Sequence, residues 1–64
     1  MVLHNLEVRK KMAEYEVNDV IMHKELGRGT IRALDKQLID IDFADGSRQL
    51  NLEVLVKNDL ISKL

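Results

Sequence analysis

The chain has 64 residues, no cysteine and a formal net charge of −1, with 33% charged residues. This length fits one small domain, and without cysteine neither a disulfide nor a thiolate metal site can reinforce it. Tyr15 and Phe43 are the only aromatic residues, too few for a methyl-lysine cage or a stacking platform for single-stranded nucleic acid. The near-neutral charge also differs from the positive balance that is typical of nucleic-acid-binding modules.

The hydropathy pattern predicts a protein without a membrane segment. No apolar run approaches the ~20 residues that a transmembrane helix requires. The first residues also lack the basic segment that precedes the apolar part of a signal peptide. We therefore expect a cytoplasmic protein, because cytoplasmic location is the default when no targeting pattern is found.

Residues 1–14 are predicted to form an N-terminal helix or a linker, ahead of a β domain over residues 15–64. The first segment lacks Gly and Pro and is rich in helix formers. Its apolar residues fall on two adjoining helical faces, Leu3, Leu6 and Ala13 on one, Val8 and Met12 on the other. The basic run 9–11 interrupts this stripe, so helix and linker stay open as alternatives.

Short β runs separated by turn residues follow from residue 15 onward. The clearest strand is 38–43, where Ile39, Ile41 and Phe43 alternate with Asp40 and Asp42. Residues 53–57 fit either one helical turn or a strand. The expected strands are 20–23, 30–34, 38–43, 48–52 and 60–61.

Three turn signals precede or separate these strands. Asn18-Asp19 precedes the first strand, and Asp45-Gly46 is a typical hairpin turn. Gly27 and Gly29 flank Arg28, which indicates a bend that needs positive φ or close backbone approach. On this basis Gly29→Val is expected to unfold the domain through backbone strain.

About five short strands in so small a domain predict a mainly all-β fold, a five-stranded SH3-like or Tudor-like barrel preceded by the short helix. The residues expected to fill the barrel are Ile21, Ile31, Ala33, Ile39, Ile41, Phe43, Leu50, Leu52 and Leu55. The apolar residues left outside are Val20, Met22, Leu34, Leu38, Val54 and Val56. Such residues mark a partner site, unless the N-terminal helix covers them.

Nothing in the residue pattern indicates catalysis, a metal site or a cofactor. A metal site needs three or four ligands, and the chain has two histidines, His4 and His23. We expect His23 to end a strand with a structural hydrogen bond. Asp40 and Asp42 share one strand face, which we interpret as a solvated surface rather than an acid–base pair. The chain is therefore expected not to be an enzyme.

The segment from Tyr15 to Ile31 resembles the opening of the Tudor-like domain appended to UvrD/PcrA-type DNA helicases and to other bacterial proteins. The later stretch 39–52 resembles the hairpin of that family. Asn18 stands where the family has a glycine, and Leu26 stands where it has an aromatic residue. The matching positions are Val17, Asp19, Ile21, His23, Gly27, Gly29, Thr30 and Ile31.

The resemblance implies a monomeric docking module that binds a protein partner such as RNA polymerase, in transcription or DNA repair. The expected contact residues are Met22, Leu26, Arg28 and Arg32. Met22→Asp with Arg32→Glu is then expected to abolish partner binding without unfolding the domain.

Two alternatives belong to other functional classes. A helix followed by five strands is also similar to Sm-like RNA-binding proteins, which assemble into rings. A nucleic-acid-binding barrel would use basic residues and lose affinity steeply with salt. The basic residues available to it are Arg9, Lys10, Lys11, Arg28 and Arg32.

Overall fold

The fold is a five-stranded antiparallel sheet with two short helices, seen in a computed structural model that describes residues 5–64. This confirms the mainly β prediction and the number of strands. The elements in chain order are α1 (Asn5–Met12), β1 (Val20–His23), β2 (Gly27–Leu34), β3 (Leu38–Phe43), β4 (Gly46–Asn51), α2 (Leu52–Lys57) and β5 (Ile61–Lys63).

The strands lie in the order β4-β3-β2-β1-β5. The first four form a meander, and β5 returns to pair with β1 through Ile21↔Lys63 and His23↔Ile61. Since β4 and β5 are the two edges and do not pair with each other, the sheet is open. Closure into a barrel therefore stays a prediction.

The hydrophobic core covers one face of this sheet, called here the inner face. Ile21, Ile31, Ile39 and Ile41 are fully buried there. Burial of each such side chain contributes about 1.5–3 kcal/mol, so the three central strands carry much of the stability. The other buried apolar residues are Val8 on α1, Phe43 on β3, Ile61 on β5 and three residues of α2, Leu52, Leu55 and Val56.

A β-bulge at Arg32 corrects the predicted alternation of β2. Ile31 pairs with Ile41 and Ala33 pairs with Asp40, so Arg32 is the extra residue. The bulge shifts the following residues to the opposite faces. Ala33 is therefore exposed on the outer face and not in the core as predicted, while Leu34 is half-buried on the inner face.

Residues 52–57 are a helix, and the predicted continuation of the preceding strand to Leu52 is wrong. The side chain of Asn51 caps α2 by accepting a hydrogen bond from the Val54 N–H at 3.0 Å. In a helix Leu52, Leu55 and Val56 share one face, which explains why Val56 is buried although it was expected to point outward.

Helix α1 packs against α2. Of its two predicted apolar faces, the one with Val8 and Met12 turns toward the protein. Val8 is buried and Met12 is half-buried, whereas Leu6 and Ala13 are exposed. Leu3 and His4 lie outside the described residues. The helix does not cover the outward apolar side chains, since Met22 and Leu38 remain 39% exposed and Val54 47% exposed.

Two of the three predicted turns lie where their signals are, whereas the bend predicted at residues 27–29 is wrong, because these residues already belong to β2. Asn18 has φ 78° and Gly46 has φ 132°. The turn after β1 consists of residues 24–26 and is followed by Gly27, whose φ of 83° favours glycine. Gly29, in contrast, has no positive φ, so its requirement is close approach rather than the expected backbone strain.

Within residues 5–64, no helix has the length and apolar character needed to cross a bilayer.

Candidate docking surfaces

The outer face of the sheet carries three of the four expected contact residues. Met22 and Arg28 are directly paired across β1 and β2. Arg32 lies farther along β2 at the bulge, where its Nε is 3.6 Å from Oδ2 of Asp42. The structure thus brings Met22 and Arg28 together, and places Arg32 beside a carboxylate instead.

This outer face has no continuous apolar surface. Its large exposed apolar side chains, Met22 and Leu38, lie on different strands near opposite ends of the sheet. The polar residues Thr30, Asp42 and Asp40 occupy the positions between them. Asp42 also accepts a hydrogen bond from the hydroxyl of Ser47 at 3.2 Å, so Asp40 and Asp42 belong to a polar ladder across the sheet.

Leu26, the fourth expected contact residue, lies not on the outer face but in the turn between β1 and β2. It lines an apolar groove of about 350 Å³ between this turn, the end of β4 and α2. We call this groove the α2 groove. Its walls consist of His23, Leu26, Leu50, Val54, Leu55 and Leu60, with Glu25 and Asn51 at its polar margin.

His23 holds the turn that carries Leu26. Its Nδ1 accepts hydrogen bonds from the main-chain N–H groups of Glu25 at 3.0 Å and Leu26 at 3.1 Å. The ring is buried and meets Phe43 edge-to-face, with centroids 6.0 Å apart. His23 thus ends β1 and makes structural hydrogen bonds, as the sequence led us to expect.

The hydrogen bonds of His23 also fix its tautomer. Because Nδ1 accepts two N–H groups, the neutral ring carries its proton on Nε2. No hydrogen bond joins Nε2 to another of residues 5–64, and that part of the chain contains no buried side-chain polar atom without a partner. Among the described residues, Nε2 is therefore a donor without a partner.

A second cluster of polar residues joins β5 to the segment before β1. Nζ of Lys63 lies 3.3 Å from Oδ2 of Asp19 and 5.8 Å from the ring centroid of Tyr15. Burial raises the pKa of the Tyr15 hydroxyl above its ordinary value of 10.0, and the carboxylates of Glu14 and Asp59 raise it further. This cluster stabilises the end of the sheet by linking an edge strand to the chain that precedes it.

The raised pKa of Tyr15 predicts that the protein loses stability at alkaline pH. Because its folded-state pKa is raised, the unfolded chain loses this proton first, so deprotonation favours unfolding as pH rises above about 10. Below that pH the group contributes no pH dependence. We expect Tyr15→Phe to flatten the fall of unfolding free energy between about pH 9.5 and 11, measured by urea unfolding. Equal slopes for both proteins would contradict this.

The basic residues that a nucleic-acid-binding surface would need lie on two sides of the molecule. Arg9, Lys10 and Lys11 lie on α1, which packs with α2 over the inner face. Arg28 is paired with Met22 on the outer face. The structure therefore does not bring the five predicted cations together into one stripe.

Among residues 5–64, no group of three or more His, Cys, Asp or Glu side chains is arranged to hold a metal ion.

The α2 groove was not predicted as a unit, because its residues come from four separate segments of the chain. Leu50 and Leu55 were assigned to the core, and Val54 only to the outside. Asn51 before an apolar run is an N-cap signal, and it could have placed α2 and hence the exposed side of Val54. No local signal could have placed Leu26 and Leu60 beside that helix.

Comparison with protein families, curated proteins and solved structures found no match for this chain.

Proposed function

We propose that this chain is a non-catalytic docking module that binds a protein partner through the α2 groove. The observation that carries this proposal is the groove itself, a concave surface walled by leucine and valine side chains on a very small domain. Ligand sites are typically concave and mostly apolar, with a few polar groups at fixed positions. Here His23 and Asn51 supply such polar groups.

The exposure of Val54 supports the groove over the outer face. Val54 leaves 47% of its surface in contact with solvent, although several polar residues have a higher helix propensity than valine. It lies in the same groove as Leu26 and Leu60. Exposed apolar residues that are contiguous mark interaction sites better than scattered ones do.

The connectivity supports the finer assignment to SH3-like, Tudor-like barrels. A four-strand meander is followed by a short helix and by a last strand that pairs back on the first. That order agrees with the resemblance carried by residues 15–31, which implies RNA polymerase as the partner and the bacterial cytoplasm as the compartment. RNA polymerase is therefore the first partner to test.

The two open edges of the sheet favour, by themselves, the ring-forming alternative, in which β4 of one copy would pair with β5 of the next. However, β5 has three residues, and each edge strand carries a cation on the inner side, Arg48 opposite Ile41 and Lys63 opposite Ile21. Short edge strands and inward charges are features that oppose edge pairing. We propose a monomer, for which light scattering should give one chain of 7.4 kDa.

The docking proposal predicts opposite results for two matched lysine substitutions. Val54→Lys places a charge in the groove and should weaken binding to purified bacterial RNA polymerase at least tenfold, since loss of about 1.4 kcal/mol is tenfold. Leu38→Lys, at an exposed apolar residue on the outer face, should change the dissociation constant less than about threefold. Biolayer interferometry measures both, and circular dichroism verifies folding.

The variant Met22→Asp with Arg32→Glu distinguishes the two surfaces. If it abolishes binding while Val54→Lys binds normally, the outer face is the docking surface and the groove proposal is wrong. Failure of the wild-type protein to bind the polymerase would exclude that partner.

A further inference from the structure

The α2 groove has a charge of one sign at its margin. Among the described residues that line it, Glu25 is the only one with a full charge. Its carboxylate takes part in none of the ion pairs within residues 5–64, and only its main-chain N–H is hydrogen-bonded there. An apolar groove with one unpaired carboxylate is complementary to an apolar side chain that has a cation next to it.

The groove also offers a hydrogen-bond donor of fixed orientation. His23 lines the groove, and because its Nδ1 accepts the N–H groups of the turn, Nε2 is the nitrogen left to donate, with no partner within residues 5–64. A donor without a partner beside apolar walls suits a main-chain carbonyl oxygen, which an extended peptide presents next to its side chain. The ring cannot rotate without loss of the turn, so this donor is preorganised.

We infer that the α2 groove binds an extended peptide segment in which a bulky apolar side chain is flanked by lysine or arginine. In this arrangement Leu26, Val54 and Leu60 surround the apolar side chain, Nε2 of His23 donates to the peptide carbonyl, and Glu25 pairs with the flanking cation. A groove of about 350 Å³ is near the lower end of ligand sites, and it suits one or two side chains of a peptide rather than a folded domain. The inference rests on the docking function proposed above and adds the chemistry of the partner.

The charge preference is tested with three blocked peptides that each contain one apolar residue. They are acetyl-Gly-Lys-Phe-Lys-Gly-amide and its counterparts with Glu or Ser in place of both lysines. Titration into ¹⁵N-labelled protein gives a dissociation constant from the amide shifts of Leu26 and Val54. We expect the lysine peptide to bind about threefold to tenfold more tightly than the glutamate peptide at low salt, with the difference shrinking as salt is added.

Charge reversal of the groove is the decisive variant. Glu25→Lys should invert the order of the peptides, and it should leave the fold intact because the side chain is exposed and makes no contact that the turn needs. Glu16→Lys changes the net charge equally at an exposed residue outside the groove, and it should keep the wild-type order. An inversion by Glu16→Lys as well would show a net-charge effect and would overturn the inference.

The results separate this inference from the docking function. Equal binding of the three peptides, with shifts at Leu26 and Val54, would overturn the charge preference but leave the groove as a docking site. Tighter binding of the glutamate peptide would overturn the inference in the same way. If no peptide shifts these amides while Val54→Lys still weakens binding of the protein partner, the partner does not use a single apolar side chain, and the inference fails while docking stands.

Discussion

Gly29→Val is expected to leave the domain unfolded, and Gly29→Ala is expected to lower the free energy of unfolding by about 1–3 kcal/mol. A Cβ at Gly29 would lie 2.5 Å from Cγ2 of Ile41 and 2.8 Å from Cδ1 and Cε1 of Phe43. Both of those side chains are buried and cannot move away without disturbing the core. Domains below about 70 residues rarely have more than about 3–5 kcal/mol to lose, so the larger valine exceeds the margin. Urea unfolding followed by circular dichroism measures the effect.

A neighbouring glycine and a compensating variant distinguish crowding from backbone strain. Gly27 has φ 83° and open space around its Cα, so Gly27→Ala should cost about 1–2 kcal/mol from strain alone. Ile41→Leu lacks the Cγ2 methyl nearest to Gly29 and should partly rescue Gly29→Ala, as a double-mutant cycle would show. Additive effects of Gly29→Ala and Ile41→Leu would contradict the crowding explanation.

Local periodicity predicted most of the sheet, and it failed where one residue changed the register. The alternation of Ile39, Ile41 and Phe43 with two aspartates predicted β3 with its observed bounds. The same rule assigned Ala33 to the core, because the bulge at Arg32 leaves no mark in the pattern of polar and apolar residues. A bulge depends on the pairing with β3, and that pairing is a property of two strands.

The candidate site was less predictable than the sheet because it is assembled from distant segments. Leu26 was among the expected contact residues, and it does line the α2 groove. Its neighbours there, Val54 and Leu60, are more than twenty residues away in sequence. The capping of α2 by Asn51 brings them together, and a six-residue helix is too short for periodicity to reveal. The resemblance at residues 15–31 therefore pointed to only one part of the groove.

His23→Ala is expected to cost about 3–5 kcal/mol, because it removes a buried ring and the acceptor of two main-chain N–H groups. The ring packs edge-to-face on Phe43, and Nδ1 holds the N–H groups of Glu25 and Leu26. Loss of both contributions would release the turn that places Leu26 in the α2 groove. We expect this variant to be largely unfolded at 37 °C in a thermal melt.

Two further substitutions at the same residue separate the acceptor from the ring. His23→Asn loses the ring but keeps an oxygen near the position of Nδ1, and asparagine side chains accept main-chain N–H groups two residues on. It should therefore be more stable than His23→Ala by about 1–2 kcal/mol. His23→Phe keeps a ring and leaves two N–H groups without an acceptor, at a cost of about 1–3 kcal/mol. If Asn and Ala were equally unstable and Phe resembled the wild type, packing alone would explain the role of His23. The expected order instead makes the hydrogen-bonded turn, and with it the position of Leu26, depend on a single imidazole nitrogen.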